Sequence, residues 1–151
     1  MKNKKPYKNY IPFQYIEEMI EEGKYLEAIV LVSGYIEVFL EAVIVEVAYK
    51  NSKEKGFSSI NIESYCDNNS LRLNMKIAVY LGLLDKKLFD KLNSFKSERN
   101  QVIHNVFKLS HRTDRHLKSL IKNGVEIFRE ISALHDSLLE SALKLMMGKD
   151  V

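Results

Sequence analysis

The chain has one cysteine, two prolines and six glycines among its 151 residues. Each scarcity excludes something. A lone thiol, Cys66, cannot close an internal disulfide and offers no metal-ligand pair, so it reads as an ordinary thiol of a reducing compartment. So few helix breakers argue against a turn-rich β fold and for long helices. Gly56, Gly82 and Gly124 stand alone, which leaves no glycine-rich phosphate loop. No stretch alternates apolar and polar residues persuasively enough for a strand. There is no internal repeat, no low-complexity segment and no composition shift that marks a domain boundary. Charge of one sign is also scarce. The formal net charge is +3, too mild by itself to name a nucleic-acid binder.

Targeting signals are missing too. The basic start Met1-Lys2-Asn3-Lys4-Lys5-Pro6 is not followed by an apolar run with a small-residue cleavage site, so no secretory leader is expected and a cytoplasmic setting is. The most apolar stretch, Ala28 to Val47, approaches the length of a bilayer span. Glu37, Glu41 and Glu46 interrupt it, and a lone span rarely carries three carboxylates. It reads as the central helix of a soluble bundle, with no membrane partner.

Hydrophobic residues make up 46% of the chain, enough for a real core, and the length suits one domain. The expected organisation is a basic flexible tail over 1–12 and an all-α domain over 13–151, a bundle of four to five helices. A first helix runs from about Phe13 to Glu22, ended by Gly23. A second runs from Tyr25 to Lys50, apolar around most of its circumference. Asn51 to Asn69 reads as a loop. Ser70 caps a third helix over 71–81, and Asp85 caps a fourth over 86–107. Thr113 or Asp114 caps a last helix to about Met147. Its stripe of Leu117, Ile121, Phe128, Ile131 and Leu138 also contains Gly124, which would let a neighbouring helix come close.

The fourth helix carries the candidate chemistry in Arg99-Asn100-Gln101-Val102-Ile103-His104. Arg holds phosphate oxygens and His moves protons near neutral pH, the two abilities that phosphodiester cleavage without a metal requires. Leu88, Leu92, Phe95, Arg99, Val102 and Val106 keep spacings of three and four, so Arg99 falls on the apolar stripe. A charge there needs a partner or a wet cleft. It is either a phosphate ligand or a structural ion-pair residue, with Glu37 or Glu41 as the counter-charge. Lys96, Asn100 and His104 form an adjacent polar row, in which Asn100 can hydrogen-bond His104. Arg99 and His104 lie about 140° apart around the axis and about 7.5 Å apart along it. One helix therefore struggles to aim both at one phosphate, whereas two copies about a twofold axis do so more easily.

Other candidate sites are thin. His111 and His116 are five apart and lack the spacing of a helical zinc pair, so no metal or other cofactor is expected. Lys96, Lys108, Arg112, Arg115 and Lys118 flank the motif. They form either a path for an RNA backbone, with Lys96, Lys108 and Arg112 the first candidates, or a solvated basic surface.

The segment Ser94-Phe95-Lys96-Ser97-Glu98-Arg99-Asn100-Gln101-Val102-Ile103-His104-Asn105 resembles the signature of the HEPN superfamily: Arg, a polar residue, further residues, then His late in a bundle helix. Ser33-Gly34-Tyr35-Ile36-Glu37-Val38-Phe39-Leu40 resembles the helix that packs against the motif helix in that family. Lys76 to Asp85, with Asp90-Lys91-Leu92, is similar to the region before the motif in mannitol-operon-repressor-like members. The resemblance spans roughly residues 25 to 145. It implies a metal-independent endoribonuclease, dimeric, serving as a toxin or in defence against phage. Arg99 would bind and polarise the scissile phosphate, His104 would act as general acid or base, and Asn100 would position the His or the phosphate. The product end would be a 2′,3′-cyclic phosphate. Toxins paired with a nucleotidyltransferase antitoxin carry Tyr two residues after the His, where this chain has Val106, which puts modification by such an antitoxin in doubt. The mannitol-repressor-like similarity implies the alternative, a non-catalytic dimeric interaction or regulatory protein. The partners implied are a second copy, RNA, and an antitoxin or regulatory protein.

Overall fold

A computed structural model describes residues 12–54, 69–105 and 113–146, and these form five helices with no strand among them. The helices are α1 (Pro12–Glu21), α2 (Tyr25–Glu54), α3 (Leu71–Tyr80), α4 (Lys86–His104) and α5 (Asp114–Met146). Residues 1–11 and 55–68 lie outside the described residues; Pro12, read as the end of the tail, opens α1, and 51–54, read as loop, continue α2. The all-α bundle expected from the sequence is the architecture observed.

Local chemistry sets the helix ends. Gly23 and Gly82 both adopt φ +72°, the left-handed conformation that glycine takes without steric cost. The N–H of Lys24 returns to the Met19 carbonyl at 2.8 Å, and that of Leu83 to the Ala78 carbonyl at 2.9 Å, which closes α1 and α3. Ser70 Oγ accepts from Leu73 N–H at 3.4 Å, and Asp85 Oδ1 accepts from Leu88 N–H at 2.7 Å. Thr113, rather than Asp114, caps α5, its Oγ1 accepting from His116 N–H at 3.3 Å. The motif helix stops at His104, three residues before the expected Phe107. Asn105 closes it by donating from Nδ2 to the Gln101 carbonyl at 2.9 Å.

The core lies between α2 and α5, with the shorter helices packed around that pair. Ile29, Val32, Ile36 and Leu40 of α2 are fully buried against the Leu117–Ile131 stripe of α5. Phe128 anchors an aromatic cluster, with ring centroids 5.2 Å from Phe13, 5.3 Å from Tyr35 and 5.0 Å from Phe39. α4 runs antiparallel to α5. Phe95 meets the Gly124 region, and Lys91 Nζ lies 2.5 Å from Glu130 Oε1. That ion pair raises the Lys91 pKa, chiefly through its hydrogen bond to Glu130.

Two mid-helix glycines differ. A Cβ on Gly124 would lie 2.6 Å from Phe95 Cε2 and 2.6 Å from Val32 Cγ1, so glycine there is what lets α5, α4 and α2 meet. A Cβ on Gly34 would meet nothing within 4 Å. Mid-helix glycine costs about 1 kcal/mol relative to alanine. At Gly34 no close approach among the described residues offsets that cost. α2 is long and apolar enough to cross a membrane, yet less than half of its most apolar window is buried inside the chain. Val30 and Val38, one turn either side of Gly34, are 56% and 62% exposed.

Candidate functional site

α4 presents two different sides. On the inner side Leu88, Leu92, Phe95 and Val102 are buried in the core. Arg99 shares that stripe, as its spacing requires, and meets a carboxylate there. Its Nη2 donates to Glu37 Oε1 at 2.5 Å, with the Arg99 side chain 20% exposed and Glu37 43%. Of the two counter-charges that the sequence offered, Glu37 is the one used. Arg99 Nε is buried without a hydrogen-bond partner, as is Ser33 Oγ, one helical turn before Glu37 on α2. The guanidinium is thus mostly buried, with its counter-ion the more exposed of the two.

On the outer side lies a shallow open depression of about 450 Å³. Lys96, Asn100 and His104 line it, together with Asn93, Ser97, Gln101 and Asn105. These are two parallel rows on one helix, 96-100-104 and 93-97-101-105, each at spacing four. The second row escaped the sequence reading, although the same spacing could have found it. Every described lining residue belongs to α4 or to its C-cap, so this depression has a floor and lacks a described opposite wall. His104 is exposed at its end. The hydrogen bond that the spacing allows between Asn100 and His104 is not formed; the cap residue Asn105 makes the local side-chain bond instead.

The structure thus brings Lys96, Asn100 and His104 together and leaves Arg99 apart from them, on the side facing α2. The separation of about 140° around the helix persists because α4 is regular through the motif. Chemically, the open side offers one ammonium, one imidazole and several amides, a set that can bind a phosphate and move a proton. The guanidinium that would polarise the phosphate is held by Glu37.

Among the flanking cations, Lys108 and Arg112 lie outside the described residues, as does His111. Arg115 and Lys118 are exposed on the first turns of α5, and Lys118 Nζ sits 5.6 Å from the Tyr25 ring centroid. No group of three or more His, Cys, Asp or Glu residues placed to hold a metal ion occurs among the described residues. No protein-family model, curated protein or solved structure matches the chain.

Proposed function

We propose that the protein is a metal-independent endoribonuclease of the HEPN type whose working site is assembled from two copies of the chain. The observation that carries this reading is the one-walled depression on α4. It presents His104, Asn100 and Lys96 to solvent, with Arg99 one residue away on the same helix and turned toward α2. An Arg and a His in one motif, aimed at different sides of one helix, fit a cleft whose second wall is another copy.

In the proposed reaction the ribose 2′-oxygen attacks the adjacent phosphorus and the bond to the 5′-oxygen breaks. A 2′,3′-cyclic phosphate and a 5′-hydroxyl remain. His104 moves one of the two protons, as base at the 2′-hydroxyl or as acid at the leaving oxygen, and water exchanges the other. Arg99 balances charge on the non-bridging oxygens, and Asn100 with Lys96 orients the backbone. Glu37 sets where the guanidinium points, which makes it a positioning residue. The setting on this reading is cytoplasmic, with RNA as substrate in a toxin or phage-defence role.

A second reading is favoured by one specific contact. Arg99 is four-fifths buried against Glu37, the arrangement of a structural ion pair. It supports a non-catalytic dimeric interaction protein in which the motif stabilises the fold or binds a partner. An RNA-cleavage assay in EDTA separates the two. The nuclease reading expects cleavage by the wild type with cyclic-phosphate ends, and a loss of about 100-fold or more in Arg99→Ala and His104→Ala. Equal cleavage by all three removes the site assignment. Absence of cleavage across mixed cellular RNA leaves the interaction reading.

A further inference from the structure

Charge on α5 is segregated along its length. From Arg115 to Arg129 it carries four cations, Arg115, Lys118, Lys122 and Arg129, against the single carboxylate of Glu126. From Glu130 to Leu143 it carries Glu130, Asp136 and Glu140 and no Lys or Arg. The cations follow at spacings of three, four and seven, so they fall within about 60° of one another around the axis and form a line about 21 Å long. All four are exposed, and among the described residues none of them is in an ion pair. Two are held in place without being neutralised. Lys118 Nζ lies 5.6 Å from the Tyr25 ring centroid, and Arg129 Cζ lies 4.8 Å from that of Phe13. An aromatic face attracts a cation but supplies no counter-charge.

We infer that this line is a second RNA contact, which grips the strand by its phosphates outside the cleavage site. The line strains the helix instead of steadying it. Lys118 and Lys122 repel each other at spacing four, and Arg115 stands in the first turn, at the positive end of the helix dipole. No ion pair among the described residues relieves this repulsion, whereas a polyanion does. The shape selects a strand. A line one side chain wide follows a backbone, and between Arg115 and Arg129 no large apolar side chain is exposed to enter an anionic lipid surface. The identity of the polyanion as RNA rests on the nuclease reading above. The contact itself is measured without cleavage.

The line begins where the depression on α4 ends. Phe95 is level with Gly124 and Lys91 with Glu130, so in this antiparallel pair His104 is level with the first turn of α5. Asn123 and Ile127 line the groove beside α4. The cations lie on another side of α5, so they form a surface separate from the depression. A strand leaving the depression at its His104 end therefore meets Arg115 first, then Lys118 and Lys122, and Arg129 further along.

The test is fluorescence anisotropy with a labelled single-stranded RNA of about 20 nucleotides, long enough to cover both surfaces. The RNA is 2′-O-methylated throughout, so it lacks the attacking hydroxyl. The wild type, the double variant Arg115→Gln/Lys122→Gln and the double variant Lys50→Gln/Lys76→Gln are titrated in EDTA over a salt series. Arg115 and Lys122 are the two cations of the line that stand over no ring, so their loss leaves the packing alone. Lys50 and Lys76 are exposed on α2 and α3 and remove the same net charge elsewhere. The α5 variant should bind about 10-fold or more weakly at low salt, and its slope of log K against log salt should fall by about 1.4, the share of two single-strand phosphate contacts. It should melt no lower than the wild type, because like charges have been removed. The control variant should bind within about twofold of the wild type, since distant exposed charges are screened. Equal losses in the two double variants, or an α5 variant that binds as the wild type does, overturns the proposal. So does a wild type that leaves the RNA unbound, whether or not it binds phosphatidylserine vesicles. The nuclease reading fails separately. A protein that binds through the line but cuts no RNA removes the nuclease and leaves the contact. An α5 variant that binds RNA and cuts a cleavable RNA with wild-type affinity and KM removes the contact and leaves the nuclease.

Discussion

α2 has two faces that obey different rules. Its inner face, with Ile29, Val32, Ile36 and Leu40, is fully covered, and the one glycine opposite it, Gly124, is there because Phe95 and Val32 leave no room for a methyl group. Its outer face has exposed valines and a glycine with open space above it. Inside, the mid-helix glycine is explained by its neighbours. Outside, a Cβ on Gly34 would meet nothing within 4 Å. The difference teaches that packing among the described residues requires Gly124 and does not require Gly34, which lies one turn from Glu37 of the Arg99–Glu37 pair.

Substitutions on the two faces sharpen this contrast, and the largest effect belongs inside. Gly124→Val forces side-chain atoms into Phe95 and Val32, and should destabilise the fold by about 3 kcal/mol, lowering Tm by roughly 6–12 °C in a thermal melt. Unchanged melting would mean that the α5–α4–α2 contact is looser than described. Next comes the border between the faces. Glu37→Ala leaves the Arg99 charge without its partner in a mostly buried place, and should cost about 1–2 kcal/mol in chemical denaturation. The partial exposure of both side chains keeps the figure below that of a fully buried pair. The smallest effect, of opposite sign, lies outside. Gly34→Ala should stabilise the monomer by about 0.5–1 kcal/mol, measured at concentrations below association, since alanine is the better helix former and meets no obstacle. A loss of monomer stability at that position would erase the contrast between the two faces.

Much of this was legible in the sequence, for identifiable reasons. Helix ends with side-chain or glycine chemistry, at Gly23, Ser70, Gly82 and Asp85, could be read because the cap is local. The end of α4 could not, because the apolar stripe continues to Val106 while Asn105 stops the helix through a bond to the Gln101 carbonyl that no periodicity announces. Glu37 as the partner of Arg99 was one of two options one turn apart. Only the approach of α4 to α2 chooses between them, and that is a tertiary fact. The phase of Arg99 and His104 on one helix was readable from geometry alone, and the structure keeps it. The outer row of Asn93, Ser97 and Gln101 was readable too, by the same spacing that found Lys96 and Asn100.

The most direct test of the two-copy site is cleavage by mixed variants. Arg99→Ala and His104→Ala proteins are prepared separately, then mixed in equal amounts under conditions that exchange subunits, and RNA cleavage is followed in EDTA. If each site takes its Arg from one copy and its His from the other, half of the dimers are mixed and one of their two sites is intact, so about a quarter of wild-type activity should return. A mixture no more active than either variant alone, beside an active wild type, would contradict the account.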